Sequence, residues 1–207
     1  MRQRPYNKEQ LETIDLILKY LNSCSHSRIE SLKENIKPYL AFRQDVEVFQ
    51  EKYLTDVCTL RCFTSKTSAC CSREGIATFF ADTVINILVS SDDEIESLVK
   101  ALLFDKGGPK CVYLSNEKGC LWHLKPIVCE MFLCDQAKED VLKKDNQLKH
   151  RWEALRIKEK EFTWPDKPVL FDELEEIFIK EGLDSPLMYF HKSPGLLRII
   201  RDRITQI

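Results

Sequence analysis

Residues 111–134 decide the reading: Cys111-Val-Tyr-Leu-Ser-Asn-Glu-Lys-Gly-Cys120-Leu-Trp-His-Leu-Lys-Pro-Ile-Val-Cys129-Glu-Met-Phe-Leu-Cys134. Four cysteines fall in one short stretch. Ser115-Asn-Glu-Lys-Gly119 is a run of turn formers between the β-favouring Cys111–Leu114 and Cys120–Trp122. The pattern predicts a short hairpin that brings Cys111 and Cys120 together. Upstream stand Cys58, Cys62 and the adjacent pair Cys70-Cys71. The order is therefore Cys58-x3-Cys62-x7-Cys70-Cys71, a long gap, then Cys111-x8-Cys120-x8-Cys129-x4-Cys134. The ninth cysteine, Cys24, lies far outside.

An even set of eight fits four disulfides or a metal site. The N-terminus, Met1-Arg-Gln-Arg-Pro-Tyr-Asn-Lys8, has no apolar stretch behind its basic residues, so no secretory signal is expected. A cytoplasmic, reducing location follows as an expectation, and there clustered thiols more often bind metal than oxidise. Thiolates are soft ligands that select zinc, copper(I) or iron–sulfur. Eight of them can fill two four-cysteine sites, or one cluster with a separate ion or spare thiols. In extended backbone Cys70 and Cys71 would point opposite ways, and so serve or join two centres. Arg61, Lys66, Arg73, Lys110, Lys118 and Lys125 lie near cysteines in sequence and can offset thiolate charge. His123 is a possible ligand or second donor but reads rather as structural, and Glu130 is a possible ligand or base but reads rather as an exposed loop residue; Cys24, His26, His150 and His191 read as structural or surface residues.

The flanks read as helical. Asn7 with Gln10 makes a capping-box start, followed by Leu11, Ile14, Leu18 and Leu21 at helical spacing. A second helix runs from about Ser27 through Ile29, Leu32 and Ile36 until Pro38 ends or kinks it. Phe42, Val46, Phe49 and Tyr53 form a third stripe. Gly75–Leu103 is helical, with a box of Ser91 and Glu94 before the apolar face of Ile95, Leu98, Val99 and Leu102. Residues 63–69 and 105–110 are loops. Gln136–Phe162 reads as one long helix of mixed charge, with eight Lys/Arg against six Asp/Glu. Thr163–Pro168 is a linker, Val169–Glu181 a helix stopped by Gly182, and Leu196–Ile204 a final short helix.

The expected fold is mainly α. It is a single helical domain with N-terminal helices over 1–56, a hairpin-bearing cysteine-rich metal core over 57–135, and C-terminal helices over 136–207. The chain has 207 residues and a net charge of −2, which gives no global reason to expect nucleic acid or an anionic membrane. No apolar run approaches the roughly 18 residues of a membrane span. A protein or small-molecule partner is left unidentified.

The cysteine region resembles the YkgJ-like family of zinc- or iron-chelating CxxCxxCC proteins. Cys70-Cys71 matches its doublet, Cys111–Leu114 with Gly119-Cys120 its middle, and Lys125-Pro126-Ile-Val-Cys129 through Cys134 its end. The resemblance covers roughly 57–135. The opening departs from it, with Cys-x3-Cys-x7-Cys-Cys in place of Cys-x2-Cys-x2-Cys-Cys and Phe63 where the family has glycine. Lys125 stands where the family has arginine, which keeps the charge and loses the bidentate fork. The resemblance implies metal binding through Cys58, Cys62, Cys70, Cys71, Cys111, Cys120, Cys129 and Cys134, with no assigned reaction. One branch resembles flagellin lysine methylases, but the Gly-rich S-adenosylmethionine loop is missing here. The wide x7 and x8 spacings favour an iron–sulfur cluster over zinc, whose close ligand pairs lie two to four residues apart. Two function classes fit: a redox or protein-modifying enzyme, and a zinc-stabilised binding or adaptor module.

Overall fold

The computed structural model describes residues 4–73, 77–164 and 167–192. It is mainly helical with one two-stranded antiparallel sheet. The helices are α1 (Pro5–Ser23), α2 (His26–Thr55), α3 (Phe80–Val89), α4 (Asp92–Leu103), α5 (Ile127–Glu130), α6 (Asp135–Ala137), α7 (Asn146–Thr163), α8 (Leu170–Lys180) and α9 (Tyr189–Lys192). Two π-helical turns, Asp56–Phe63 and Lys138–Leu142, continue α2 and α6.

Helix α1 starts at Pro5, whose fixed φ and missing N–H suit the first turn. Asn7 and Gln10 are not its cap; they lie one and two turns inside and are buried. The Asn7 amide donates to the Leu102 carbonyl and to Asp105, and Gln10 accepts from the Tyr113 hydroxyl. These polar side chains bridge to other elements, a use that a local capping pattern does not reveal.

Pro38 does not end a helix. The second and third apolar stripes belong to one 30-residue helix, α2, capped by Ser25. Pro38 faces solvent, where water can satisfy the carbonyl that it leaves without a donor. The opposite face buries Leu32, Ile36, Tyr39, Phe42, Val46 and Phe49. That burial outweighs the roughly 3 kcal/mol a mid-helix proline costs.

The stretch 75–103, expected to be helical, is so from Phe80 on, as α3 and α4 separated at Ser90-Ser91; residues 75 and 76 lie outside the described residues. Ser91 and Glu94 form the capping box that starts α4. Every residue from Phe80 to Leu88 is buried, because α3 lies between α1 and α8. Asp82 accepts from the Phe79 N–H at the start of α3. The long helix over 136–162 is also interrupted; a π turn and a bend precede α7, which Asp145 caps through the Gln147 and Leu148 amides. Helix α7 packs on α2 and α8 and buries Trp152 against Phe49. Gly182, at φ +75°, stops α8 as the sequence predicts. The expected helix over 196–204 lies outside the described residues.

One hydrophobic cluster draws on all three stretches of the chain. Ile17 and Ile36 come from the first, Phe80 and Leu98 from the second, and Phe171 and Phe178 from the third. Residues 80–103 are thus part of the main core and not of a separate cysteine region. Among the described residues, no helix is long and apolar enough to cross a membrane.

Candidate metal centre

The eight cysteines sit on short elements and turns outside the long helices. Cys58 and Cys62 lie in the π-helical turn that continues α2, a geometry that recurs at functional sites. Cys62 lies one residue before the end of that turn. Its carbonyl accepts from Thr67 and Ser68, and its sulfur accepts from the Ala69 N–H at 3.3 Å. Cys70 and Cys71 follow in a tight turn closed by Cys71 N–H to the Ser68 carbonyl. The backbone there is turned, not extended, so the condition under which the pair would diverge is not met.

The doublet is fastened to the 105–111 loop. Cys111 N–H donates to the Cys71 carbonyl, and Arg73 N–H donates to the Pro109 carbonyl. The Arg73 guanidinium grips both Asp105 oxygens, at 2.8 and 2.9 Å, and holds that carboxyl well below the usual range. Asn7 of α1 donates to the same carboxylate, so the N-terminal helix positions the loop that carries Cys111.

The hairpin forms, but it is shorter than expected. Strand β1 (Leu114–Ser115) pairs with β2 (Gly119–Cys120), with Leu114 opposite Cys120. Cys111 lies before β1, where its carbonyl accepts from Leu114 N–H. Cys129 rides on α5 and Cys134 precedes α6. The chain into α5 is held from the core: Asn86 accepts from Leu124 N–H and Asp82 from Ile127 N–H, both at 2.9 Å. Complete burial pushes the Asp82 carboxyl up to about 6.

Several of the thiols act on one another electrostatically. Cys58 feels Cys62, Cys70 and Cys134, while Cys71 feels Cys111, Cys120 and Cys129. Cys120 and Cys129 both feel Cys70. Partial burial and these neighbours push Cys58, Cys111 and Cys129 up to about 11. The mutual hydrogen bond raises Cys70 and lowers Cys71. Backbone amides oppose the rise: Tyr113 at Cys111, Trp122 at Cys120 and Ala77 at Cys129. Cys24 stands apart, against Tyr20 and Arg28.

Among the described residues, no three His, Cys, Asp or Glu side chains are drawn together tightly enough to hold a metal ion. The chemistry of the donor set does fit a thiophilic metal. All nine cysteines are free thiols, the soft donors that such metals select, and the Cys62 sulfur accepts the Ala69 N–H.

Two other candidates are committed elsewhere. His123 pairs through Nδ1 with Glu94 at 2.9 Å and pulls that carboxyl down to about 2, at the start of α4. Glu130 is only 7% exposed, not the surface loop residue its sequence context favours. Its carboxylate lies 3.3 Å from the Lys125 ammonium and 3.6 Å from the Arg43 guanidinium. Arg43, Gln50, Asp82 and Asn86 hold the 123–131 segment and carry no local sequence signal; helical periodicity marks only their apolar neighbours. His191 is not bland either. Its ring lies 3.0 Å from Glu175 and 3.6 Å from Asp172.

Comparison with protein-family models, with curated proteins and with solved structures returned no match.

Proposed function

We propose that the chain is a metal-binding protein whose centre is built from Cys58, Cys62, Cys70, Cys71, Cys111, Cys120, Cys129 and Cys134. One observation supports the reading: hydrogen bonds from Cys111 N–H to the Cys71 carbonyl and from Lys110 to the Thr67 and Ser68 carbonyls bring cysteine-bearing stretches from distant parts of the sequence side by side. Placing partly buried thiols near one another disfavours their ionised forms, and a bound cation reverses that cost. The resemblance of residues 57–135 to the zinc- and iron-chelating cysteine-cluster family supports the same reading, with an iron–sulfur cluster preferred from the wide spacings.

When bound, such a cluster supplies electron transfer or a modifying reaction. This chain's own residues hold the thiols: Asp105 and Arg73 fix the doublet loop, and Asp82 and Asn86 fix the approach to Cys129. A second reading, a zinc-stabilised binding module, is favoured by the exposed Leu60, Val128 and Phe132 beside Cys58, Cys62, Cys129 and Cys134. The optical spectrum of anaerobically purified protein separates the two. Visible absorption that bleaches on reduction is expected for the first. A colourless, redox-silent zinc protein supports the second.

A further inference from the structure

The loop that joins α4 to the hairpin borders an open hollow of about 440 Å³, within the size range of small-molecule sites. The loop is preformed. Arg73 grips the Asp105 carboxylate, its Nε donates to the Gly108 carbonyl at 2.6 Å, and Gly107 N–H donates to Asp105 at 2.9 Å. Gly107 and Gly108 hold φ of +82° and +123°, conformations that residues with side chains rarely adopt. Open space lies where a Gly108 Cβ would stand, so a bound molecule can come up to the backbone there.

The walls are of two kinds. Lys106 and Lys110 supply charge. Lys110 donates to the Thr67 and Ser68 carbonyls, neutral partners that leave its charge uncompensated. Lys106 meets no carboxylate among the described residues. Asp105, the carboxylate that lines the hollow, is already engaged by Arg73, the Asn7 amide and Gly107 N–H. The rest of the wall is apolar. Phe104 is 73% exposed, and the half-buried Ala101 and Val112 line the hollow with it.

We propose that this hollow binds a small aromatic anion, its charged group met by Lys106 and Lys110 and its ring laid against Phe104. Two ammonium groups without a carboxylate partner select the charge, and an uncovered aromatic ring beside them selects a planar body. Cys111 borders the same hollow, which sets the bound molecule beside the proposed centre. The site itself stands on the loop and not on the metal reading.

The test uses the full chain, purified without oxygen and labelled with nitrogen-15, and reads the Gly107 and Gly108 amide signals at fixed ionic strength. Three probes divide the chemistry: phenyl phosphate carries ring and charge, inorganic phosphate the charge alone, and benzyl alcohol the ring alone. Phenyl phosphate should shift both glycine signals saturably and bind roughly threefold or more tightly than either other probe. Lys106→Gln changes a side chain with no partner to lose. It should weaken both phosphates roughly two- to fivefold and leave benzyl alcohol unchanged. Phe104→Ala should remove the advantage of phenyl phosphate over inorganic phosphate. Wild-type affinity for phenyl phosphate in Lys106→Gln overturns the proposal. So does an unsaturated response, or saturable binding that leaves both glycine signals in place. Metal content, measured on the same sample, reports separately: a metal-free chain that binds phenyl phosphate keeps this site and removes the metal reading.

Discussion

The side chains that set the geometry around the cysteines are buried polar groups that each join two or more segments. Arg43 ties α2 to the Lys125 carbonyl, and Asn7 ties α1 to Leu102 and Asp105. Such groups are costly to strip of a partner. Arg43→Ala should destabilise the fold by about 3 kcal/mol, the scale for breaking a buried ion pair, read as a shift in urea midpoint. At the thiols, the expected order follows the proposed set. Cys120→Ser and Cys129→Ser should lose bound metal, whereas Cys24→Ser should retain it. Equal loss from Cys24→Ser would place the boundary of the centre wrongly. Cys58, Cys111 and Cys129, raised to about 11, are protonated at neutral pH and must release protons to ligate. Metal affinity should therefore fall steadily as the solution is acidified below pH 7. A pH-independent affinity between 6 and 8 would mean that these thiols are not ligands.

At the scale of elements, residues 57–135 divide into two kinds of structure. Helices α3 and α4 lie in the core, with Phe80 and Val84 fully buried and Leu98 nearly so. The segments on either side are turns, a two-residue-per-strand hairpin and single-turn helices, too small to be stable alone. Removing metal should open protease sites within 60–73 and 105–120 while 80–103 stays protected and helical circular dichroism persists. Cleavage inside α3 at the same rate would show one cooperative unit. The His191 clasp on α8 gives a separate pH response. Glu175 raises the folded-state pKa of His191 above its ordinary value, so the pair stabilises fully below about pH 6.5. That contribution is lost as pH rises through the raised value, and amide exchange over 187–192 should quicken there. The helices themselves were legible from apolar spacing: Ile14 and Leu21 of α1, the Phe42–Phe49 stripe and the Ser91 box all follow from it. Their ends were less so. Pro38 was overridden by a buried face, and Asn7 serves a partner 95 residues away. Capping rules describe local competition for backbone groups, and long-range partners do not enter them.

Across the whole molecule, the order is a packed helical body with a cysteine-bearing fringe attached to it by polar anchors. Helices α1, α2 and α3 each reach the fringe: through Asn7 to Asp105, through Arg43 and Gln50 to 125–130, and through Asp82 and Asn86 to 124–127. The proposed cysteine set comes from spacing and resemblance. The anchors were not legible, because a buried arginine or aspartate on a helix leaves no periodic mark. The π turn at 56–63 escaped notice for a related reason, since one extra residue per turn alters no local composition. The central claim is that the eight gathered thiols exist to hold metal. Elemental analysis of the full chain, purified without oxygen and paired with a thiol count, tests it most directly. The account expects more than one metal atom per chain and few disulfides. A metal-free chain with four intramolecular disulfides among the eight cysteines would contradict it.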